Sequence, residues 1–409
     1  MVKGSQIRLE CERLVHRGLG LARLEGMVVF LFGALPGEDV TATVTKVHAH
    51  HAFADTVEVH RGSPERVEPP CPHFGVCGGC QLQHAAYALQ LRAKASILRE
   101  ALSHRGIEVP EATDAVGSRQ RWRYRWRGEF HLHPEQPRMG FTSRQGRQVV
   151  AIEDCPIHHL ALTGLLAPLG RAFQERPAGV QTAHLTVGGG GREVLLQTRP
   201  SAAAGEFVAL AVAGANLPSV TTESTELSYR GRRFRVFPDS FIQVNQESLE
   251  ELYETVVEWL RPSLAGARVV DAYGGSGVLG LRLVDQGADV TVIESNPISA
   301  RLCELHGEMY APGRLAVRCG PVEDELPTIA SPAVVVLDPP RSGLAPQVTG
   351  WLSLAGPPTI AYLSCEVSAL ARDLETLCRR GPYRLTRRRL VDMFPQTYHF
   401  EVVALLQRE

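Results

Sequence analysis

The chain has 409 residues, 44% hydrophobic and 21% charged, which is longer than one ordinary core uses, so two or three domains are expected. The first residues lack the apolar core of a signal peptide and no apolar run is long enough to span a bilayer, which predicts a cytoplasmic protein without a membrane partner. The net charge of −1 hides an asymmetry, because residues 1–236 carry 28 basic and 22 acidic side chains and residues 237–409 carry 15 and 22, which places any polyanion-binding surface mainly in the first half.

The sequence of residues 6–60 has the pattern of short strands separated by turns. Apolar residues alternate with threonines at Val40, Ala42 and Val44, so one face of that strand is expected to be buried and the other wet. About five strands in this length predict an OB-like β-barrel over residues 1–60, although any small antiparallel barrel would show the same pattern. The predicted strands cover 7–15, 27–32, 40–47 and 53–59.

A group of cysteines follows this first domain. Cys71, Cys77 and Cys80 lie close together, and Cys155 comes much later, followed by a proline. Nine cysteines in a chain expected in a reducing compartment argue against a disulfide framework and favour a metal or iron–sulfur site. Zinc would need four thiolates or a mixture of cysteine and histidine, while a [4Fe-4S] cluster needs four thiolates and fits the Cys-Pro ending better. A helix is predicted next, over 85–102.

Arginine alternates with aromatic residues through residues 119–127. As a strand, this segment would place four arginines on one face and Trp122, Tyr124 and Trp126 on the other. That pairing suits single-stranded RNA, because arginine binds phosphates and aromatic rings stack on bases, whereas the alternative is a half-buried strand with merely solvated arginines. The candidate RNA-binding residues are Arg121, Arg123, Arg125 and Arg127.

Further strands and a basic hairpin complete the middle of the chain. Strands are predicted at 185–187 and 193–197 with a glycine-rich connection, and the basic hairpin 228–235 turns at Gly231. Together with the cysteines, these features predict a central α+β RNA-binding domain over residues 61–236 that holds the iron–sulfur site.

From residue 237 the pattern changes to alternating strands and helices. An amphipathic helix is predicted over 246–260, followed by strands alternating with helices and then by two strands, 385–393 and 400–406, with no helix between them. This order predicts a Rossmann-like α/β domain over 237–409, with a parallel sheet that ends in an antiparallel edge. The predicted parallel strands are 268–273, 290–294, 315–319, 333–337 and 359–363.

Candidate chemical groups follow these strands at their carboxyl ends, where open α/β sheets bind ligands. A G-x-G-x-x-G pattern at Gly275 follows the first strand, and Glu294 ends the second, which suits a nicotinamide or an S-adenosylmethionine site. The sequence predicts one nucleotide-binding half-domain followed by an antiparallel pair of strands, which favours a methyltransferase over a dehydrogenase with two such halves. Asp338 opens an Asp-Pro-Pro-Arg loop, either a ligand site or a structural turn, and Cys365 alone would more often be a structural cysteine than a nucleophile.

The constellation resembles the RNA 5-methyluridine (uracil-5) methyltransferases, in particular the bacterial 23S ribosomal RNA branch with an N-terminal TRAM domain and a [4Fe-4S] cluster. The resemblance covers nearly the whole chain. It implies that residues 1–60 are the TRAM domain and that S-adenosylmethionine is the methyl donor. Its motifs are Phe241-Ile-Gln-Val-Asn245, Ser364-Cys365 and His399-Phe-Glu401.

The resemblance also assigns roles to individual residues. Cys365 matches the nucleophile that adds to carbon 6 of uracil, and Glu401 matches the base that removes the carbon 5 proton. The implied cofactor contacts are Gln243, Tyr273, Glu294 and Asp338, and the implied cluster ligands are Cys71, Cys77, Cys80 and Cys155.

Two positions depart from the family's usual pattern. The family continues Ser-Cys with Asn-Pro, whereas Glu366-Val367 follow here, so a less rigid loop is expected beside the nucleophile. Gly274 replaces a frequent cysteine, a change expected to be neutral.

Other functions stay open on the sequence alone. The same reaction on a uridine of the transfer RNA T-loop is one alternative, and methylation of an exocyclic amine, which needs no thiolate, is another. A non-catalytic iron–sulfur RNA-binding or assembly factor is an alternative of another class. In each case RNA is the expected partner, and a monomer is the expected state.

Overall fold

The computed structural model describes residues 1–108, 114–136, 138–146, 148–175, 180–199 and 217–409. Four sheets organise these residues, and each of the three larger sheets has its own group of buried apolar side chains. In the described part of the chain, no helix combines the length and hydrophobicity needed to cross a membrane.

The first sheet contains the strands β1 (Gln6–Glu10), β2 (Arg13–Val15), β3 (Leu19–Leu24), β4 (Met27–Phe32), β5 (Asp39–Val47) and β6 (His51–Arg61). They pair in the order β1-β5-β6-β4-β3-β2. The predicted strand 7–15 is therefore two strands, because the buried Cys11 between them donates its backbone N–H to Glu38 instead of continuing the ladder. The predicted alternation is confirmed, since Val40, Ala42 and Val44 point into the core.

The middle of the chain contains α1 (Tyr87–His104), β7 (Asp114–Val116), β8 (Arg127–Leu132), β9 (Met139–Thr142), β10 (Val149–Ala151), α2 (Leu160–Glu175), β11 (Thr182–Gly188), β12 (Glu193–Arg199), β13 (Ser219–Thr221), β14 (Thr225–Tyr229) and β15 (Arg232–Val236). The second sheet runs β10-β9-β8-β11-β12-β13, and α2 packs its apolar side against it. The predicted hairpin is confirmed as β14 and β15, and Arg232 pairs with Asp285, so this hairpin contacts the last domain.

The last part contains α3 (Gln246–Leu260), β16 (Arg268–Ala272), α4 (Val278–Asp285), β17 (Asp289–Glu294), α5 (Pro297–Tyr310), β18 (Leu315–Cys319), α6 (Val322–Glu325), β19 (Val334–Leu337), α7 (Pro346–Ala355), β20 (Thr359–Ser364), α8 (Val367–Leu374), β21 (Tyr383–Val391) and β22 (Glu401–Arg408). The sheet runs β18-β17-β16-β19-β20-β22-β21-β7. Its first five strands are parallel and β22 is antiparallel to both neighbours, as predicted.

The predicted edge of this sheet is wrong. β21 is not the outer strand, because β7 from the middle of the chain pairs with it in parallel through Asp114 to Val116. The ion pair between Arg389 and Asp114 crosses the same junction. A strand of three residues carries too little periodic pattern to be recognised in sequence, and its partner is about 275 residues away.

The predicted strand through the alternating arginines is also wrong. Residues 117–126 are irregular, and Arg123 has a φ of 58°, which an extended strand does not allow. Buried contacts explain the shape: the hydroxyl of Tyr124 donates to the carbonyl of Pro395, and the backbone N–H of Trp126 donates to Val244. The segment therefore links the middle of the chain to the last domain, and its arginines point in different directions.

A buried ion pair joins α1 to the loop between β21 and β22. Lys94 Nζ donates to Asp392 Oδ1 at 2.7 Å, and neither residue is exposed. The hydroxyl of Tyr87 donates to Asp392 Oδ2 at 2.9 Å, and the N–H of Phe394 donates to Oδ1 at 3.2 Å. Lys94 also donates to the carbonyl of Phe394 at 3.1 Å. All these donors converge on the start of the loop that leads to Glu401.

Lys94→Met is expected to destabilise the protein by about 3–5 kcal/mol, because it leaves the Asp392 carboxylate buried without its cation. Adding Asp392→Asn should recover most of the loss, since a neutral amide keeps an acceptor for Phe394. Denaturant unfolding followed by circular dichroism measures both variants. Equal stability of Lys94→Met and wild type would contradict the buried pair, and Lys46→Met, at an exposed lysine, is the matched control.

Candidate active site and cysteine cavity

The carboxyl ends of β16, β17, β19 and β20 meet at one edge of the parallel sheet. The strand order reverses between β16 and β19, since β17 and β18 lie on one side and β20 on the other. Ligands of doubly wound sheets bind outside such a switch point. The structure thus brings together four of the predicted site residues there: Tyr273, Glu294, Asp338 and Cys365.

The glycine-rich turn after β16 uses unusual backbone conformations. Tyr273 has a φ of 65°, in the left-handed region that a residue with a side chain rarely occupies, and Gly275 follows with 56°. Gly274 is not neutral, contrary to expectation: a Cβ there would lie 2.6 Å from Val292 Cγ1 and 2.9 Å from Asp271 Oδ2. A cysteine at this position would require the side chains of Val292 and Asp271 to move.

Two carboxyl groups flank this turn. Glu294 accepts the backbone N–H of Gly275 at 2.9 Å and that of Asn296 at 2.6 Å, so it shapes the turn and keeps lone pairs for another donor. Asp271 is 1% exposed, and the described residues give neither of its oxygens a hydrogen-bond partner. Burial first, and then the charge of Asp338, raise the pKa of Asp271 to about 7.

A buried aspartate on α8 holds the segment that follows the Asp-Pro-Pro-Arg loop after β19. Oδ2 of the buried Asp373 on α8 accepts the backbone N–H of Leu344 at 2.8 Å and the hydroxyl of Tyr362 on β20 at 2.7 Å. The loop is therefore tied to the strand and helix that flank Cys365. Burial raises the pKa of Asp338 to about 7.

Cys365 lies between β20 and α8, and Glu366 caps that helix. The side chain of Glu366 accepts the N–H of Ser368 at 3.3 Å and its hydroxyl at 2.8 Å. The N–H of Glu366 in turn donates to the hydroxyl of Ser364 at 3.2 Å. Hydrogen bonds thus hold the loop that was expected to be less rigid without Asn-Pro.

Glu401 is the first residue of β22, and the strand register brings it to Cys365. Ser364 pairs with Val402 as the last pair of the antiparallel ladder, so the residues that follow and precede them, Cys365 and Glu401, lie at the same end of the two strands. Glu401 is 4% exposed, and burial, with a contribution from Asp338, raises its pKa well above the usual range. Burial, Glu401 and Asp338 raise the pKa of the Cys365 thiol to about 12, while the Arg341 guanidinium lowers it.

Gln243 lies just before α3, whose first turn is capped by Asn245. Asn245 caps α3 by accepting the N–H of Ser248 at 3.1 Å and donates to the carbonyl of Met393 at 3.1 Å. The described contacts of Gln243 are with Gln246, which donates to its carbonyl at 3.0 Å, so its place at the cofactor stays a prediction.

Four cysteines predicted as ligands line one cavity of about 290 Å³ in the middle of the chain: Cys71, Cys77, Cys80 and Cys155. Among the described residues, no three His, Cys, Asp or Glu side chains are close enough to hold a single metal ion. The four cysteines share this cavity, and the [4Fe-4S] cluster stays a prediction for it.

The four arginines predicted to share one face are separated. Arg123 forms two 2.6 Å contacts with Asp154, and Arg127 donates to the carbonyls of Ser240 and Pro238. Arg125 lines the cysteine cavity, and its buried Nε has no partner among the described residues. Arg121 alone of the four is exposed, with its guanidinium 4.3 Å from the ring centre of Tyr87.

Sequence reasoning missed several residues at the sheet edge. Arg341 and Asp271 belong to the recognised motifs, but no role was predicted for either. Asp373 lies on α8 outside any recognised motif, so the sequence gives no sign of its contacts. His399 is a fourth: burial and then Arg341 lower its pKa to about 4, so its ring is neutral beside Tyr398, 4.0 Å away between ring centres. The pairing of β20 with β22 brings the residues before β22 to this edge of the sheet, which no local motif reveals.

Comparison with protein families gives two matches. The TRAM domain family matches residues 2–57, and the family described as tRNA (Uracil-5-)-methyltransferase matches residues 328–409. The first match covers β1 to β5 and most of β6, and the second covers Asp338, Cys365 and Glu401.

Relatives match over nearly the full length. The chain is 32% identical to the 23S rRNA (uracil(1939)-C(5))-methyltransferase RlmD of Shewanella amazonensis, over 98% of this chain and 96% of that protein. It is 35% identical to the protein of the same name from Halomonas elongata, over 99% and 90%. The fold is similar to that of Pyrococcus abyssi tRNA (uracil-54, C5)-methyltransferase in complex with S-adenosyl-L-homocysteine, with a TM-score of 0.73, 23% identity and coverage of 98% and 100%.

The charges around Cys365 predict opposite effects on its alkylation by iodoacetamide at pH 8.5. Asp338→Asn removes an anion and should lower the thiol pKa, so alkylation becomes several-fold faster, whereas Arg341→Gln should raise the pKa and slow it. One pKa unit changes the thiolate fraction roughly ten-fold while the pH is below the pKa. Peptide mass spectrometry measures the rate, with exposed Cys319 as internal control. Changes of the same sign in both variants would contradict this electrostatic description.

Proposed function

The chain belongs to the RNA (uracil-C5)-methyltransferase family, and from this premise we propose that it methylates carbon 5 of a specific uridine in 23S ribosomal RNA, using S-adenosylmethionine. The observation that carries the proposal is the proximity of Cys365 and Glu401: the ladder of β20 and β22 ends with Ser364 opposite Val402, and the charge of Glu401 acts on the Cys365 thiol. A thiol and a buried carboxyl facing each other at a ligand-binding sheet edge are the two groups that this reaction needs. The full-length similarity to enzymes named for 23S RNA favours that substrate.

The sheet edge fits a cationic cofactor. S-adenosylmethionine, when bound, supplies the methyl group as part of a sulfonium cation. The cofactor would be held by Gln243, Tyr273, Glu294 and Asp338, with the unpartnered Asp271 carboxyl beneath the turn. Carboxyl groups whose pKa values are raised by burial and mutual repulsion gain most from a nearby positive charge, because that charge favours their ionised forms.

Cys365 acts as the nucleophile in this proposal. Its thiolate adds to carbon 6 of uracil, forming a carbon–sulfur bond and turning the ring into an enolate that is nucleophilic at carbon 5. The high pKa of the thiol in the free protein means that binding must favour the thiolate, and Arg341 is the protein cation that does so. The target base must leave any stack to reach this recessed group.

Glu401 acts as the base. After carbon 5 carries the methyl group, Glu401 takes the proton from carbon 5, and the electron pair expels the Cys365 sulfur from carbon 6, which restores the aromatic ring. Burial raises the pKa of Glu401, which makes its ionised form a stronger base than an exposed carboxylate.

The first sheet would help to hold RNA at this edge. The ring centre of His16 lies 5.3 Å from that of Tyr398, which shortly precedes Glu401 in the sequence. The neighbouring Arg17 is exposed. Exposed Arg121 supplies a second cation on the middle of the chain. The other three arginines stay candidates only for an indirect role in RNA binding. Arg123 and Arg127 bind groups within the protein, and Arg125 lines the cysteine cavity.

We propose that the cysteine cavity holds a [4Fe-4S] cluster. All four cysteines line it, and so does Arg125, a cation whose buried Nε has no partner among the described residues and whose charge suits a cluster bound by four thiolates. The cluster would organise the irregular loops that join the domains, here taken as 1–60, 61–236 and 237–409, without taking part in methyl transfer. We expect the protein to act as a monomer in the cytoplasm.

Methyl transfer from labelled S-adenosylmethionine to unmodified 23S ribosomal RNA, with mapping of the product nucleotide, tests the function. Cys365→Ala should abolish incorporation and keep cofactor binding, while Cys378→Ala, a partly buried cysteine elsewhere, should retain activity. Incorporation only into transfer RNA would select the T-loop alternative. Activity of Cys365→Ala would instead favour amine methylation, and a wild type without activity on any RNA would favour an assembly factor.

Glu401→Gln should trap the reaction after addition, because the amide cannot take the carbon 5 proton. A complex of protein and methylated RNA that survives denaturation should accumulate and be seen by gel electrophoresis. Glu366→Gln, a carboxyl on the helix cap, is the control and should give no such band. Free turnover by Glu401→Gln would remove it as the base.

A further inference from the structure

His158 lies in the wall of the cysteine cavity with its ring against one of the four sulfurs. Its side chain is 3% exposed, and Nδ1 lies 3.1 Å from Sγ of Cys155. The backbone adds to this arrangement, because the N–H of His158 donates to the carbonyl of Cys155 at 3.0 Å. The proline turn after Cys155 therefore folds the histidine back onto the sulfur.

Neighbouring residues pack closely around the imidazole ring of His158. The rings of Phe130 and Phe141 lie 5.2 Å and 5.3 Å from it, between ring centres. Gly128 lies at its far end, where a Cβ would be 2.7 Å from Nε2. The same Cβ would lie 2.8 Å from Cε2 of Phe130, so a side chain at position 128 would force one of the two rings to move, and the glycine leaves room for the histidine.

The surroundings also fix the proton. Nε2 has no hydrogen-bond partner among the described residues, so a proton there would be a buried donor without an acceptor. A neutral ring with its proton on Nδ1 avoids that cost and points an N–H at the sulfur. A thiolate that binds metal is a better acceptor for this N–H than a thiol.

We infer that His158 is a positioning residue of the iron–sulfur site, which donates a hydrogen bond from Nδ1 to the Cys155 sulfur and thereby raises the reduction potential of the bound cluster. The inference rests on the proposed cluster. Hydrogen bonds to ligand sulfurs favour the reduced state, which carries one more negative charge, because they draw electron density from the sulfur.

The test compares His158→Leu with His158→Asn, two side chains of similar size of which only asparagine has a donor near the position of Nδ1. Protein is purified without oxygen, iron and acid-labile sulfide are measured, and the cluster is titrated with dithionite while electron paramagnetic resonance follows the one-electron reduced form. His158→Leu should shift the midpoint potential to more negative values, and His158→Asn should return it towards wild type. His159→Leu is the control, because that ring packs on Trp126, 4.9 Å away, and should leave the potential unchanged.

Each outcome decides between the two proposals. Wild-type protein without iron and sulfide would remove the cluster and this inference together, while methyl transfer by Cys365 would stand. Normal iron content with the same potential in His158→Leu and wild type would overturn the role of His158 alone. If His158→Leu cannot hold the cluster, a His158→Asn variant that holds it at the wild-type potential supports the hydrogen bond, and one that also loses it overturns the inference.

Discussion

The ion pair of Lys94 with Asp392 is the constraint on which the arrangement of this protein depends. It joins a helix of the middle region to the loop that ends at Glu401, and water reaches neither partner. A charge buried this completely is tolerated only with its partner and further donors in place, so the loop has one position. Gln90 fixes the far side of the loop through two 3.0 Å hydrogen bonds with Gln396. The loop that leads to Glu401, the proposed base, is thus held by a helix from outside its own sheet.

Much of the last domain could be predicted from sequence, because its strands are fully apolar and glycine-rich turns separate them from helices. The helix Gln246–Leu260 and the strand Leu315–Cys319 agree with the prediction at both ends. The candidate nucleophile and base came from motifs. Their facing positions could not come from local pattern, since these follow from the antiparallel register of β20 with β22.

The arginine-rich segment shows why the rest could not be predicted. Its alternation is typical of a strand, yet long-range contacts of Tyr124 and Trp126 override that local preference. Arg125 was expected to face RNA and lies instead at the cysteine cavity. A sequence period states which residues share a face only if the backbone is regular, and here it is not.

The hydrogen bonds from Gln81 and Leu82 to the carbonyl of Gln396 bear on the order in which the protein is made. The ribosome releases the cysteine loop early and the acceptor near the end of synthesis. Until then the loop after Cys80 and the ammonium of Lys94 lack their partners, so the nascent amino-terminal part stays unfinished. A chain that stops before Asp392 would therefore leave the ammonium of Lys94 and the N–H groups of Gln81 and Leu82 without these acceptors, so its amino-terminal part would lack the contacts that hold it in the finished protein.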